Sequence, residues 1–386
     1  MTTALADPIR GRDNALNFLR LLLATAVIID HSFPISGLSG PRHGPLSDVA
    51  VNGFFVLSGY LIAGSRVRMS GPRYAWHRAL RILPGFWVCL LVTGLVIAPL
   101  STLHSQQPWD LRLGLGYFTH NFTLVSMHDS IGSTLAHVNE QAWNGSLWTL
   151  FHESLAYVAA GLLLWPRFVR RHAVPILIAV AVLAVVAVYL ANGPAFLTTN
   201  RYRDTLRLAC FFTAGMAMWA LRDRIPSSRW LALASAAVFV PLYLAAAFDD
   251  TPQLHAATFT PVAIIWTYVV TPFPLAYLLL WLGGVLPVRL GVRNDISYGM
   301  YIYAFPLQQL LDVLGAQRLG LAAFIVLSIL VTIPMAWLSW HLVEKRALRL
   351  KDLGRARGRH VTRPSEPLPP DAAPGGRTPS RTDARA

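Results

Sequence analysis

Leu16-Asn17-Phe18-Leu19-Arg20-Leu21-Leu22-Leu23-Ala24-Thr25-Ala26-Val27-Ile28-Ile29-Asp30-His31 is a hydrocarbon run in which Arg20 and His31 stand eleven residues apart. On a helix that spacing is close to three turns, so both side chains share a face and lie roughly 16 Å apart along the axis. Charged groups within such a run are expensive unless they are paired, snorkel to an interface, or line a functional cavity. Taken singly, Arg20 reads as an end anchor and His31 as a polar residue meeting water. Their common face points both towards one cavity.

The rest of the chain is of the same kind. Of 386 residues, 54% are hydrophobic and only 13% charged, about half the charged share of an average soluble protein. A spanning helix needs about 20 mostly apolar residues, and ten such runs occur at roughly 16–35, 48–65, 82–100, 145–165, 173–191, 205–221, 230–247, 260–286, 296–314 and 319–342. The eighth is long enough to tilt or break near Pro272 and Pro274. The formal net charge of +14 would suggest nucleic acid in a soluble chain; here it follows the positive-inside rule. With the N-terminus in the cytoplasm, the clusters Arg66 to Arg81, Arg167 to Arg171, Arg222 to Arg229 and the Lys345 tail all fall inside. Only Arg42, Arg112, Arg201, Arg203, Arg207 and Arg318 fall outside. The expected fold is an all-α polytopic membrane protein with about ten transmembrane helices and both termini cytoplasmic.

Cys89 and Cys210 both sit in apolar runs, which excludes a disulfide-stapled secreted domain. The first run leads into Asp30-His31 rather than a small-residue cleavage site, so no removable leader is expected. His104, His120, His128 and His137 in the long outer loop lack metal-ligand spacing, and no metal is expected. Two domains are expected: residues 1–350 in the membrane, and a basic, disordered cytoplasmic tail over 351–386 that is rich in Pro, Ala, Gly and Arg.

Three further segments carry chemistry. Trp143-Asn144-Gly145-Ser146-Leu147-Trp148-Thr149-Leu150-Phe151-His152-Glu153 opens the fourth run. Glu153 there has Thr149 and Tyr157 four residues to either side on its own face. A lone intramembrane carboxylate must be protonated, hydrogen-bonded or paired, so Glu153 is either a structural tie or a functional group. Gly53-Phe54-Phe55-Val56-Leu57-Ser58-Gly59-Tyr60-Leu61-Ile62 places a Ser-Gly pair where two helices can approach closely. Arg78 and Arg81, followed by Pro84, belong to a basic cluster that is either a topological signal or a phosphate site. Asp312, His341 and Glu344 lie near run ends and read as anchors.

Taken in order, these segments resemble the membrane-bound acyltransferase-3 family, which O-acylates bacterial glycans and some small molecules. Arg20 and His31 look like its R-x10-H motif, and Phe54 to Ile62 is similar to its FFxxSGxxI stretch. Arg78 to Pro84 resembles its RxxR loop element, and Asn144 to Glu153 with Tyr157 its tryptophan-leucine-glutamate motif. Ser297-Tyr298-Gly299-Met300-Tyr301-Ile302-Tyr303 and Phe305-Pro306 resemble the late span, and Val343-Glu344-Lys345 the closing helix. Two positions depart from the family: Phe305 stands where many members have histidine, and Arg346 where proline is common.

The resemblance implies an acyl-CoA donor, most often acetyl-CoA, and a hydroxyl acceptor such as a carbohydrate of O-antigen, lipopolysaccharide or exopolysaccharide, or a lipid-linked sugar. It makes His31, Arg20 and Glu153 the candidate catalytic groups, Arg78, Arg81 and Ser58 donor-binding, and Tyr157 and Tyr301 acceptor-binding. His31 would be the general base, since an ordinary imidazole titrates near neutrality. The implied location is the bacterial cytoplasmic membrane, with the lipid bilayer, acyl-CoA and the acceptor as partners, no nucleic acid, and self-association left open. The family's fused outer hydrolase-like domain is not expected here, so transfer would finish in the membrane domain or with a separate partner. A transporter or flippase for a lipid-linked sugar is the alternative, though no inverted repeat is visible. A small metabolite such as a macrolide is the alternative acceptor.

Overall fold

Asn14 sets where the first helix begins. Its side-chain oxygen accepts the Leu16 amide at 3.1 Å, while its nitrogen donates to the Ile9 and Gly11 carbonyls. Helix α1 then runs Leu16–Ser36 and ends at Gly37, whose φ of +66° is the left-handed turn that glycine adopts without strain. The computed structural model describes residues 3–11, 13–38, 45–105, 107–125, 128–191, 200–247, 269–291 and 294–353. Among them follow α2 (Pro45–Arg68), α3 (Gly71–Val92), α4 (Leu111–Asn121), α5 (Trp148–Leu163) and α6 (Ala173–Ala191). Then come α7 (Asn200–Leu221), α8 (Arg229–Ala247), α9 (Pro272–Val285), α10 (Ser297–Val313) and α11 (Leu321–Ser339). No strand occurs among the described residues. Four helical stretches, Leu16–Ser36, Leu46–Arg68, Gly71–His104 and Leu321–Asp352, are long and apolar enough to cross a bilayer. The chain is a helical membrane protein.

A helix lies over each of the ten apolar runs, with differences at the ends. The expected basic tail beyond Leu353, and residues 260–268 of the eighth run, lie outside the described residues. The largest difference is α3, which starts at Gly71 with Pro72 in its first turn, rather than near residue 82. It continues through a π-turn, Thr93–Ile97, to Ser105. Arg73, Arg78 and Arg81 therefore ride on a helix and not in a loop. Hydropathy ends a span at its first charges, but arginine is a good helix former and the helix carries these groups onward. The outer loop also contains a helix of its own, α4, whose Asp110 side chain caps the Leu113 amide.

The closest crossing joins α2 to α7. A Cβ added at Gly59 would sit 2.0 Å from the Phe212 carbonyl oxygen, and one at Gly215 would sit 2.1 Å from that of Val56. Backbones meet here because neither glycine has a side chain to keep them apart, the role expected of the Ser58-Gly59 pair. A second tie arises from Pro306 inside α10. Proline has no N–H for the carbonyl four residues earlier, so the Ile302 oxygen is left over. It accepts instead from the Asn144 side-chain amide at 2.8 Å and the Cys89 thiol at 3.2 Å.

Candidate active site

Buried charge gathers where the start of α1, the first half of α3, the start of α10 and the end of α11 meet. Asp295, just before α10, accepts from Arg20 of α1 at 2.9 Å and from Arg81 of α3 at 2.5 Å, both on its Oδ2 atom. The Ser297 hydroxyl holds the other carboxylate oxygen at 2.6 Å. Burial alone would push this carboxyl up. The Arg20 and Arg81 guanidiniums, with the Ser297 hydroxyl and amide, outweigh burial and hold it well below the usual carboxylate range. Arg81 also lies 3.9 Å from Glu344 and over the Tyr298 ring. Glu344 is only 2% exposed, set on a π-turn (Trp340–Glu344) and bonded by the Ser339 hydroxyl. The anchor role read for Glu344 from its place in the sequence thus gives way to membership of the ion cluster, because the π-turn rotates it inward.

The second group lies between α2 and α5. Glu153 accepts from the Ser58 hydroxyl at 3.1 Å and from the Tyr157 hydroxyl. Arg78 places its guanidinium over the Tyr157 ring, 5.8 Å from the centroid, and Tyr157 is within electrostatic reach of Arg81 as well. The Arg78 Nε atom is buried without a hydrogen-bond partner. Tyr301 is buried in α10, its hydroxyl shared with Thr149 at 2.5 Å and with the Ser146 carbonyl at 3.2 Å. Glu153 is a close electrostatic neighbour of Tyr298 and Tyr301.

His31 sits towards the other end of α1, half-buried, with its ring edge-on to Phe305 at 5.1 Å. One of the two residues that depart from the family pattern, Phe305, is thus packed against the candidate base. Next to it the Gln308 side chain of α10 donates to the Ile28 carbonyl and the Ser32 hydroxyl, fixing α1 against α10 at this level. The structure therefore brings Arg20 together with Arg81, and Ser58 with Glu153, Tyr157 and Arg78, with Tyr301 close by, while His31 occupies a separate place along α1. Among the described residues no group of histidine, cysteine, aspartate or glutamate has the arrangement of a metal site. Arg207, sorted to the outer side, is 4% exposed and pairs with Asp48 at 2.5 Å.

Asp295 is the group that sequence reasoning missed. Its signal was indirect: two arginines on apolar helices need a countercharge, and an aspartate two residues before the Ser297-Tyr298 motif could supply it.

The arrangement comprises a buried ion cluster and a second polar group in which Arg78, half-buried, has neither hydrogen bond nor ion pair among the described residues. Residues 13–341 match the family described as Acyltransferase domain. A protein named O-acetyl transferase from Shigella phage Sf6 is 27% identical over 348 residues, covering 87% of this chain and 96% of that one. Nodulation protein 10 of Rhizobium leguminosarum bv. viciae is 27% identical over 375 residues, covering 88% and 95%. No solved structure matches the chain. Since the family match takes in nearly all of the helical bundle and, Glu344 apart, both charged groups within it, the chain belongs to this acyltransferase family and is an acyltransferase.

Proposed function

We propose that the protein is an O-acetyltransferase of the bacterial cytoplasmic membrane, with ten spans and both termini in the cytoplasm. It takes acetyl from cytoplasmic acetyl-CoA and gives it to a hydroxyl of a cell-surface or lipid-linked carbohydrate. The observation that carries this reading is the ion cluster on Asp295. Two guanidiniums and two carboxylates held in an apolar bundle are costly for stability, and such groups are kept where a charged ligand or reaction needs them.

In this reading Arg78 and Arg81 meet the phosphates of CoA, in the bidentate geometry that guanidinium and phosphate share. Arg20, roughly 16 Å below His31 on the same face, belongs with the donor and not with the reacting carbonyl. The extended pantetheine arm covers that separation and brings the thioester to His31. The imidazole takes the proton from the acceptor hydroxyl as its oxygen attacks the thioester carbonyl. Collapse of the tetrahedral intermediate breaks the C–S bond, and the imidazolium returns the proton to the departing CoA thiolate. Glu153, with Ser58, Tyr157 and Tyr301 around it, orients the acceptor.

Label transfer tests this. Vesicles given acetyl-labelled CoA and a polysaccharide acceptor should move label into the glycan. His31→Ala should lower the rate by about 10²–10⁴-fold with unchanged membrane insertion. Full transfer by His31→Ala would remove the imidazole from the reaction, and transport of unmodified sugar without label would return the flippase.

A further inference from the structure

A cleft of about 390 Å³ opens between the first half of α3 and the second half of α5. Tyr74, Ile82, Leu83, Val158, Leu162 and Trp165 form its apolar walls, two arginines face it, and no acidic side chain among the described residues lines it. Arg66 is already committed: it donates to the Gly161 carbonyl at 3.0 Å and the Met69 carbonyl at 2.9 Å, and its guanidinium lies over the Tyr74 and Trp165 rings. Arg78 is not. Its Nε is buried and unpartnered, and its guanidinium lies over the Tyr157 face and within electrostatic reach of Tyr74. A half-buried cation beside hydrocarbon calls for an anion.

The surroundings say which anion. Val158 and Leu162 are 58% and 64% exposed along the rim, and a bilayer covers such residues in a membrane protein. Trp76 and Trp165 stand exposed at the same end, followed by the arginines of Arg167–Arg171, the combination found at headgroup depth. A hydrated free phosphate has no use for this wall. A phosphate joined directly to a hydrocarbon chain satisfies cation and wall together.

We propose that the cleft binds an anionic phospholipid of the surrounding bilayer, its phosphate on Arg78 and an acyl chain along Tyr74, Val158 and Leu162. On the donor reading above, Arg78 then serves two anions in turn, but the lipid site does not depend on that reading.

Native mass spectrometry of the full chain in detergent tests it by counting retained lipid, with no acyl transfer involved. Phosphatidylglycerol should bind at least tenfold tighter than diacylglycerol with the same chains. Arg78→Ala should erase that preference and Arg78→Lys should keep most of it. Val158→Trp, which fills the cleft and leaves the charge, should weaken both lipids. Inorganic phosphate in excess should leave the lipid bound. Equal retention of the two lipids by the wild type, or an unchanged preference in a folded Arg78→Ala protein, would overturn the proposal, as would displacement by inorganic phosphate alone.

Discussion

Asp295 shows how much can rest on one carboxylate. A single oxygen answers two guanidiniums on different helices, so Asp295→Asn takes from Arg20 its carboxylate and leaves Arg81 with Glu344 at 3.9 Å. Removing one partner of a buried pair typically costs ~3–5 kcal/mol, and the variant should melt well below the wild type. The pH dependence has a definite sign. The folded carboxyl is held below its ordinary value of about 3.9, so its contribution is complete above that pH and is lost as pH falls through the folded value. Melting curves in detergent should therefore show a gap between wild type and Asp295→Asn that is constant near neutrality and narrows below about pH 4. A gap that persists unchanged into acid would mean that the ion pairs do not stabilise the fold. The sequence made Arg20 and Glu153 conspicuous because each interrupts an apolar run, and Arg78 and Arg81 because they belong to a basic cluster just before one. Asp295 escaped notice because it lies between spans, where a charge is ordinary, and only the folded chain brings it beneath both arginines.

At the scale of elements, positions of helices were legible and their ends were not. A run of about 20 apolar residues marks a helix well, as α1 and α2 illustrate. It misplaces the start of α3 because that helix keeps its arginines turned towards Asp295 and Tyr157, and hydropathy cannot distinguish an inward charge from a loop. The two π-turns left no readable trace either. The meeting of α2 and α7 was half legible: Ser58-Gly59 announced a close approach, but not to which helix. With the Phe212 oxygen 2.0 Å from a Cβ at Gly59, Gly59→Ala must push the two helices apart. Overpacking of this kind costs about 1–3 kcal/mol or more, and Gly59→Leu should give no folded monomer. Gly116→Ala is the matched control: its Cβ would meet nothing nearer than His120 at 3.9 Å, so the added methyl should stabilise α4 by roughly 0.5–1 kcal/mol. Size-exclusion profiles and melting temperatures read both. Wild-type behaviour of Gly59→Ala would show that the crossing is looser than the structure has it.

For the whole molecule, the arrangement of spans can be checked without knowing the chemistry. Among the described residues four stretches qualify as membrane-crossing on their own length and composition. Charge sorting then predicts which ends share a side. Cys89 and Cys210 are buried, so the native chain should resist a membrane-impermeant maleimide and serve as its own blank. Thr123→Cys, on the outer side of the proposed arrangement, should react in intact cells. Ser70→Cys, between α2 and α3, should react only in inverted vesicles. Labelling of both from one side would break the ten-span arrangement.

The carbonyl released by Pro306 has a consequence for biosynthesis. The side chains that receive it, Asn144 and Cys89, precede Ile302 by 158 and 213 residues. The ribosome delivers them first, so the tenth helix enters a membrane in which its socket is already present. Its shape is completed by neighbours that arrived earlier, and a truncated chain missing those neighbours would insert that helix with one oxygen exposed to oil.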